Sequence, residues 1–458
     1  MASAEWAAAN PILLPGEPGH IKNTGKVKIG DGLTHWNDLL GTSPWIQVFP
    51  GESIQDAINS ISSGIVQVSP GTFDPFILKT GVYVVGSGES TIISAASGVD
   101  GIIAGLNNQN MSGLGAMNLS VSGGRYGLRL NNVQRGFFES LNLESQMDSI
   151  YCEGQIETSI FRRLCLNGFS SYGILTGQTN GGSSALSYNY PIIQKSEFDH
   201  IELRGASGAT GIKITAGVID AVQQTSGYSG FRHIVSQGQE VCSFYIDKSQ
   251  NISISNFQNE QQTLPAANTY SVIKIGTGVG MVSLSDFQLA VRANDDTPYK
   301  YGIEQLDGFL TFKNSFIASV SGSGAGSADI YMAGIGGLIE QVSVLGGSTS
   351  GIVFQNTNVR DKTLLINVYD ATNSLITDWT AGVAWIGSGL TSSMGVSMGQ
   401  ASFGNIYTKY IYPLTDDTYL VGVKSQAFKG VIVKDTTNGH YYRIETINGV
   451  VTATDLGT

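Results

Sequence analysis

The strongest constraint on the fold is a short phrase that recurs along the middle of the chain. The phrase is a phenylalanine, two polar residues, an aliphatic residue and, in most copies, a glycine seven residues after the phenylalanine. Copies begin at Phe138, Phe161, Phe198 and Phe231, and a related pair of segments, residues 252–258 and 282–288, recurs at a spacing of 30. A phrase that returns at such intervals is the signature of a repeat architecture.

The segments between the phrases favour short strands over helices. Alternating aliphatic residues follow small residues or glycine, and Gly, Asn and Ser turns separate them. Only 13% of the residues are charged, and 59 of the 458 are glycine. A parallel β-helix needs such frequent turns and short polar outer side chains, whereas helical bundles are rich in Ala, Glu, Lys and Arg. We therefore expect an all-β chain.

A solenoid needs a cap at its first coil, because an open end would expose the apolar interior. Residues 53–61 read SIQDAINSI, which places Ile54, Ala57, Ile58 and Ile61 on one face of a helix. Ser53 is suited to cap the N-terminus of that helix. The sequence predicts a short capping helix at this point.

The same region resembles the opening of pectin-lyase-like right-handed β-helix proteins. Residues 51–73, GESIQDAINSISSGIVQVSPGTF, match the capping helix and the PGTY-like strand and turn of that family. Residues 82–94, VYVVGSGESTIIS, match its G-x-G-x-x-[ST] segment. Since the phrase pattern continues to about residue 360, the resemblance implies a right-handed parallel β-helix over residues 45–362.

The first 44 residues form a separate small segment that is expected to contain strands at 12–14 and 26–29. This segment closely resembles the N-terminal module of phage tail receptor-binding proteins of the major-tropism-determinant kind. The resemblance implies that residues 1–44 attach the chain to a phage tail or baseplate protein. The matching residues are Glu5-Trp6, Ala9-Asn10-Pro11, Gly16-Glu17-Pro18-Gly19, Thr24-Gly25-Lys26, Lys28-Ile29-Gly30-Asp31-Gly32 and Trp36-Asn37-Asp38-Leu39.

The coil phrase is lost beyond residue 362. Residues 363–458 read as separate strands and hairpins, with Asn438-Gly439 and Asn448-Gly449 as strong two-residue turns. Residues 434–451, KDTTNGHYYRIETINGVV, are similar to short C-terminal β modules of phage tail proteins. That resemblance implies assembly as a homotrimer.

Candidate binding residues lie on the outer face of the phrase. We count the phenylalanine of each phrase as position one. Positions four and six are then expected to face inward, and positions three and five outward. Position three then stacks Ser140, Arg163, His200 and His233 at intervals of about 4.8 Å, with Glu202 beside them at position five. An acid, two imidazoles and a guanidinium are suited to bind or cleave an acidic or neutral glycan. The alternative is an ordinary solvated face or a contact between subunits.

Insertions between coils offer further candidates for ligand binding. Segments 177–191, 215–230 and 293–302 are expected to be loops, which commonly carry function on a rigid scaffold. They contain Tyr188, Tyr190, Tyr228 and Tyr299, whose rings could stack on sugar faces. The alternative is that these rings pack only in turns or between subunits.

Hydrolysis of a glycan would need two carboxyl groups roughly 5 to 9.5 Å apart. Glu260 is the first candidate acid because it follows a strand and is flanked by amides, and Asp295 or Asp296 one coil later is its candidate partner. Glu202 is a further candidate catalytic carboxylate. A lyase could instead use an imidazole of the outer column as its base. Asp295 and Asp296 could also hold a cation, but the sequence has no zinc, nucleotide or nucleophile motif, and we expect no metal or cofactor.

Charge and hydropathy exclude several classes of partner. The formal net charge is −11 and Lys and Arg do not cluster, so we expect no nucleic-acid partner. No apolar stretch reaches 18 residues and the N-terminal residues lack a signal-peptide pattern, so we expect no membrane insertion. The three cysteines are expected to be free thiols in a chain folded in a reducing cytoplasm.

Together these features predict a subunit of a phage tail fibre or tailspike, made in the host cytoplasm and incorporated into the virion tail. Its first expected role is that of an adhesin for a bacterial surface polysaccharide. The alternatives are a depolymerase, either a glycoside hydrolase or a polysaccharide lyase, and a structural fibre segment without a binding site. The scarcity of candidate acids favours the adhesin.

Overall fold

The protein is described by a computed structural model as two compact units. One unit consists of residues 1–390 and 394–401, and the other of residues 391–393 and 402–458. The structure describes residues 8–20, 27–39, 45–105, 109–144, 146–176, 192–215, 218–219, 222–223, 226–238, 241–260, 270–290, 299–318, 328–345, 352–355, 359, 362–366, 368–370, 422–423, 426–427, 431–434, 441–447 and 450–455.

Three parallel sheets run along the first unit, and we call them faces 1, 2 and 3. Face 1 contains Trp45–Val48, Gly64–Val68, Gly71–Phe73, Val82–Val85, Thr91–Ala95, Gly115–Gly123, Phe137–Glu144, Ile160–Asn167, Glu197–Arg204, Gly230–Ser236, Ile252–Asn259, Met281–Ser285, Gln288–Ala290, Phe309–Ala318, Gly336–Leu345, Thr363–Ile366 and Tyr369–Asp370.

The other two faces are made of shorter strands. Among the described residues, face 2 contains Phe76–Ile77, Ile102–Ala104, Tyr126–Leu130, Asp148–Cys152, Tyr172–Thr176, Thr210–Ile214, Cys242–Ile246, Ser271–Ile275, Tyr301–Gln305, Ala328–Met332 and Ile352–Phe354. Face 3 contains Met111–Ser112, Val133–Gln134, Ile156–Glu157, Ile193–Gln194, Ser226–Gly227 and Ser249–Gln250.

Successive coils are stacked in register. Each coil of the middle region crosses face 1, then face 2 and then face 3, and Phe161 pairs with Phe198 as Phe198 pairs with Phe231. The predicted right-handed parallel β-helix is therefore confirmed. The stack also continues past the expected boundary at residue 362, because Thr363–Ile366 and Tyr369–Asp370 pair with Gly336–Leu345.

The strands of face 1 bend at position three of the phrase. The backbone there is left-handed, with φ values of 54° at Arg163, 56° at His200 and 52° at His233. This left-handed residue lets positions two and three both face outward before position four returns to the interior, and neighbouring strands stay in one-to-one register. Nine consecutive coils share this bend, at Asn118, Ser140, Arg163, His200, His233, Asn256, Asp286, Asn314 and Gln341.

Stacked phenylalanines fill the core behind this bend. Phe138, Phe161, Phe198 and Phe231 are fully buried, and the ring centroids of successive pairs lie 5.1, 4.4 and 4.5 Å apart. The aliphatic residues at position four are buried beside them. Each phrase is thus anchored from inside, which holds its outer residues in line along the solenoid.

The predicted capping helix is present at Ile54–Ser60. The Ser53 hydroxyl accepts a hydrogen bond from the Asp56 backbone N–H at 3.1 Å, which satisfies one free donor of the first helical turn. Ile54, Ala57 and Ile58 are buried, so the apolar face closes the first coil as expected.

The N-terminal segment forms a short antiparallel pair. Pro18–His20 pairs with Val27–Ile29, while Ile12 makes a single antiparallel bridge to His35. The second predicted strand is therefore found, whereas the first lies at Pro18–His20 rather than at 12–14. A small core of Leu13, Trp36 and Leu39 supports the pair.

The second unit is antiparallel where the structure describes it. Gly422–Val423 pairs with Gln426–Ala427, and Tyr441–Ile447 lies between Val431–Lys434 and Val450–Asp455. Hairpin strands were expected here. The two Asn-Gly turns that join them lie outside the described residues.

Among the described residues, no helix has the length and apolar character needed to cross a membrane.

Candidate functional site

A surface cleft of about 670 Å³ opens on the outer side of face 1, and we call it the histidine cleft. Its floor is formed by five neighbouring coils, from Ile160–Asn167 to the coil that begins at Met281. The lining residues are Arg163, Leu164, Cys165, His200, Ile201, Glu202, His233, Val235, Gln237, Asn256, Phe257, Gln258, Asp286 and Gln288. Position three of each phrase supplies one wall, because the left-handed bend turns it outward.

Two stacked imidazoles lie at the centre of the cleft. The ring centroids of His200 and His233 are 4.4 Å apart and the planes differ by 23°. Both Nδ1 atoms meet the same oxygen, Oδ1 of Asp199, at 3.0 Å from His200 and 2.8 Å from His233. Asp199 occupies position two of its phrase, and the bend brings its carboxylate alongside the two rings.

Asp199 is the acceptor of this cluster. Partial burial raises the pKa of Asp199, but the hydrogen bonds from His233 and His200 outweigh burial, and the net pKa lies below its ordinary value. The carboxylate is therefore ionised at neutral pH. It accepts from Nδ1–H of each ring, which fixes one tautomer for both imidazoles.

The two Nε2 atoms consequently point away from Asp199, but they differ in their neighbours. The side-chain amide of Asn256 donates to Nε2 of His233 at 3.3 Å. Nε2 of His200 has no hydrogen-bond partner among the described residues, and the His200 side chain is 58% exposed. The basic nitrogen of His200 is thus open to a ligand.

Arg163 extends the column on the other side of His200. Its side chain is 66% exposed, and among the described residues its guanidinium forms one ion pair, with Glu139 at 3.8 Å. This distance is too long for a close, bidentate ion pair. The Arg163 guanidinium can therefore receive an anionic group of a ligand in the cleft.

The cluster contains donor types that bind transition metals, since one oxygen of Asp199 and one nitrogen of each imidazole lie within 4.8 Å of one another. A metal ion bound by imidazole lies in the plane of the ring, along the nitrogen lone pair. The point on which the two Nδ1 atoms converge is occupied by Oδ1 of Asp199, at 3.0 Å from His200 and 2.8 Å from His233. This arrangement is suited to holding two N–H groups on one carboxylate.

The candidate carboxylates are engaged with their own neighbours. Glu202 lines the cleft and forms an ion pair with Arg204. Glu260 accepts hydrogen bonds from Gln237 at 2.8 Å and from Gln258. In the register of face 1, Glu202 aligns with Val235 and then with Gln258, so the two acids lie two coils apart.

The other predicted residues that the structure describes do not join this cluster. Tyr299 is only 1% exposed and belongs to the core, so its ring offers no face to a sugar. Tyr228 is 65% exposed at the corner that leads into Gly230–Ser236. Four further predicted residues, Tyr188, Tyr190, Asp295 and Asp296, lie outside the described residues.

Sequence reasoning missed Asp199 and Asn256, and it placed Cys165 on the outer face without giving it a role. Burial, reinforced by the neighbouring Glu202, raises the pKa of the half-buried Cys165, so it enters the cleft as a neutral thiol. The missed signal for Asp199 is the spacing of the phrase. Two inward residues three apart, such as Phe198 and Ile201, leave two successive residues to face outward.

The fold and the site thus define a right-handed parallel β-helix that carries a polar, imidazole-lined cleft on one face. No protein-family model and no curated protein matches the sequence. The structure is similar to PfbA, a surface adhesin of Streptococcus pneumoniae, at 12% identity and a TM-score of 0.46, over 88% of this chain and 95% of PfbA.

Two further solved structures are similar over much of the chain. One is a tailspike protein of Acinetobacter baumannii bacteriophage Fri1, a capsular polysaccharide depolymerase, at 10% identity and a TM-score of 0.41, over 96% of this chain and 80% of the tailspike. The other is an alginate lyase from Paenibacillus, at 12% identity and a TM-score of 0.40, over 74% of this chain and 97% of the lyase. Such values describe architecture and leave function to be argued from the residues.

Proposed function

We propose that this chain is a phage tail fibre or tailspike subunit that binds a bacterial surface glycan in the histidine cleft during host attachment. The observation that carries the proposal is the cleft itself. Its volume of about 670 Å³ is that of a ligand site, and its exposed guanidinium, imidazole and amide groups follow one another along a rigid sheet. Such a row of donors and acceptors suits the hydroxyl, amide and carboxylate groups of a glycan.

The two ends of the chain complete the proposal. The N-terminal segment resembles a phage tail attachment module, and in this role it joins the chain to a tail or baseplate protein. The C-terminal β-rich segment holds three copies together as a homotrimer. The histidine cleft then faces the host surface as part of the virion tail.

A glycan array tests the binding role directly. The full chain would be applied to purified bacterial capsular polysaccharides and lipopolysaccharide O-chains, beside a variant with Arg163→Ser and His200→Asn. Ser140 and Asn256 occupy the same left-handed position in other coils, so both replacements suit the backbone. We expect the wild type to bind selected glycans and the double variant to lose at least about tenfold in affinity, as expected when about 1.4 kcal/mol of contact energy is removed.

A matched control separates the cleft from the rest of face 1. Ser140→Asn changes the same position of the phrase in a coil that does not line the cleft, and it should bind like the wild type. Equal binding by the double variant and the wild type would contradict the proposal. Binding to none of the glycans would contradict it as well.

The exposed Nε2 of His200, a ring whose Nδ1 lies 3.0 Å from Oδ1 of Asp199, supports a depolymerase as the second candidate. An oriented imidazole with an open nitrogen can act as a general base, as in elimination by a lyase. Incubating the chain with a bound glycan and measuring new reducing ends tests cleavage, and the absorbance of a new C=C bond distinguishes elimination from hydrolysis. If neither signal appears with a glycan that binds, the chain is an adhesin.

A further inference from the structure

The free nitrogen of His200 constrains what the histidine cleft can bind. In the neutral ring, Nδ1–H donates to Asp199, so Nε2 carries a lone pair directed away from that carboxylate. A lone pair repels an anionic oxygen and attracts a hydroxyl donor. If His200 is protonated, the same atom becomes a charged donor that attracts a carboxylate.

A proton brought in by a bound anion is better placed on His200 than on His233. His233 is the poorer position for that proton, because its Nε2 already accepts a hydrogen bond from Asn256 and protonation would turn that acceptor into a donor. Protonated His200 keeps its bond to Asp199, and the carboxylate balances the new charge. Two protons would leave two stacked cations on one carboxylate, which is unfavourable.

Other charged groups around His200 are mostly paired. Arg204 pairs with Glu202 on the same strand, and Arg232 of the next coil pairs with Glu197. Among the described residues, the guanidinium that remains open to a ligand beside His200 is that of Arg163, with Glu139 at 3.8 Å. The titratable and charged groups that surround the ring on its own and the neighbouring coils are Glu139, Arg162, Arg163, Cys165, Glu197, Asp199, Glu202, Arg204, Arg232, His233 and Asp286.

From this arrangement we infer that the cleft selects an acidic glycan, whose sugar carboxylate binds between Arg163 and protonated His200, with uptake of one proton by His200. The inference rests on the proposed function and adds to it the class of sugar. Arg163 supplies a permanent positive charge, and His200 supplies a second one that forms only when the anion arrives. A neutral glycan would not draw this proton.

The proton gives the inference a measurable consequence. Where free His200 is neutral, uptake of one proton on binding makes affinity rise about tenfold for each unit that the pH falls. Binding of a neutral glycan should show no such slope. In the His200→Asn variant the amide still donates to a carboxylate but cannot take up a proton, so affinity should be lower and independent of pH.

The test uses the same array of purified bacterial capsular polysaccharides and O-chains, each printed in its native form and after chemical reduction of its carboxyl groups to alcohols. We expect the carboxyl-reduced glycans to bind the full chain at least about tenfold more weakly than the native glycans. Calorimetry with the native glycan, in two buffers of different protonation enthalpy, should give about one proton taken up by the wild type and none by His200→Asn. Ser140→Asn should behave like the wild type.

The outcomes separate this inference from the proposed function. Binding that survives carboxyl reduction, or selective binding of neutral glycans, would overturn the acidic-sugar inference and leave the glycan-binding role intact. Carboxylate-dependent binding without proton uptake would overturn the role of His200. No binding to any printed glycan would refute the proposed function, and this inference with it.

Discussion

The buried carboxylate of Asp148 is expected to make the stability of the solenoid depend on pH. It lies on a strand of face 2 and is only 2% exposed. Its carboxylate accepts the Tyr172 backbone N–H at 3.1 Å, but no cation pairs with it among the described residues. Burial raises the pKa of Asp148 to about 6, from an ordinary value of 3.8, against the smaller lowering effect of that hydrogen bond.

The sign follows from comparing the folded and unfolded chains. Below about pH 4 Asp148 is protonated in both states. As the pH rises from about 4 to about 6 the unfolded chain loses the proton first, so the free energy of unfolding falls by about 1.4 kcal/mol per unit. Above the folded-state pKa the free energy of unfolding falls no further, and the total decrease is about 3 kcal/mol.

Replacing the acid with its amide should remove this cost. In Asp148→Asn the side-chain oxygen still accepts the Tyr172 N–H, while the ionisation is absent. We expect the variant to be more stable than the wild type by about 3 kcal/mol at pH 8 and equal to it near pH 4. Urea unfolding at both pH values, followed by tryptophan fluorescence, gives the difference.

Asp100 provides the contrast. It is buried as well, but it forms ion pairs with Arg125 at 2.8 Å and Arg129 at 3.1 Å. Asp100→Asn should therefore destabilise the chain at pH 8, because Arg125 loses its carboxylate and Arg129 keeps only that of Glu153. The reasoning about Asp148 would be refuted if Asp148→Asn gave the same difference from the wild type at pH 4 and pH 8, or lowered stability at pH 8.

Two further predictions concern the scaffold. Phe198→Ala should lower the free energy of unfolding by about 3 to 5 kcal/mol, because Phe198 lies between Phe161 and Phe231 in the core. Phe198→Leu should lower it by less than about 1.5 kcal/mol. Equal losses for the two variants in denaturant titrations would contradict the stacking argument. Ser53→Ala should remove the cap of the first coil at a cost of about 1 kcal/mol, with faster hydrogen exchange confined to Ile54–Ser60, whereas unchanged exchange there would argue against a capping role.

The fold could be predicted because its signals are local and periodic. The phrase fixes which residues face inward, and its repetition fixes the register, as the pairing of Ile252 with Val282 shows. The helix at residues 54–60 follows equally from its apolar spacing and the cap at Ser53. Both kinds of signal depend on neighbouring residues along the chain, which a sequence displays directly.

The site could be predicted only in part, because its geometry depends on side-chain directions at an irregular point of the strand. The stacking of Arg163, His200 and His233 followed from the phrase. Strict alternation of inward and outward residues, however, would place position two in the interior with positions four and six. The left-handed bend brings Asp199 to the same surface, and Asp199 is the residue that orders both imidazoles. Tyr299 shows the opposite error, since a tyrosine in an expected loop is buried in the core.

The bend itself suggests how such a scaffold gains a binding site without losing its fold. Apart from glycine, Asn, Asp and His tolerate left-handed backbone best, and among the described coils this position holds Asn118, Asn256, Asp286, Asn314, His200 and His233. The coil therefore requires the left-handed backbone at this position, whereas the side chain there can vary. The turn therefore accounts for Asn, Asp and His at this position, but not for the arginine at Arg163. Arg163, and Asp199 at the neighbouring outward position, are the residues for which the proposed glycan site supplies a reason that the backbone does not.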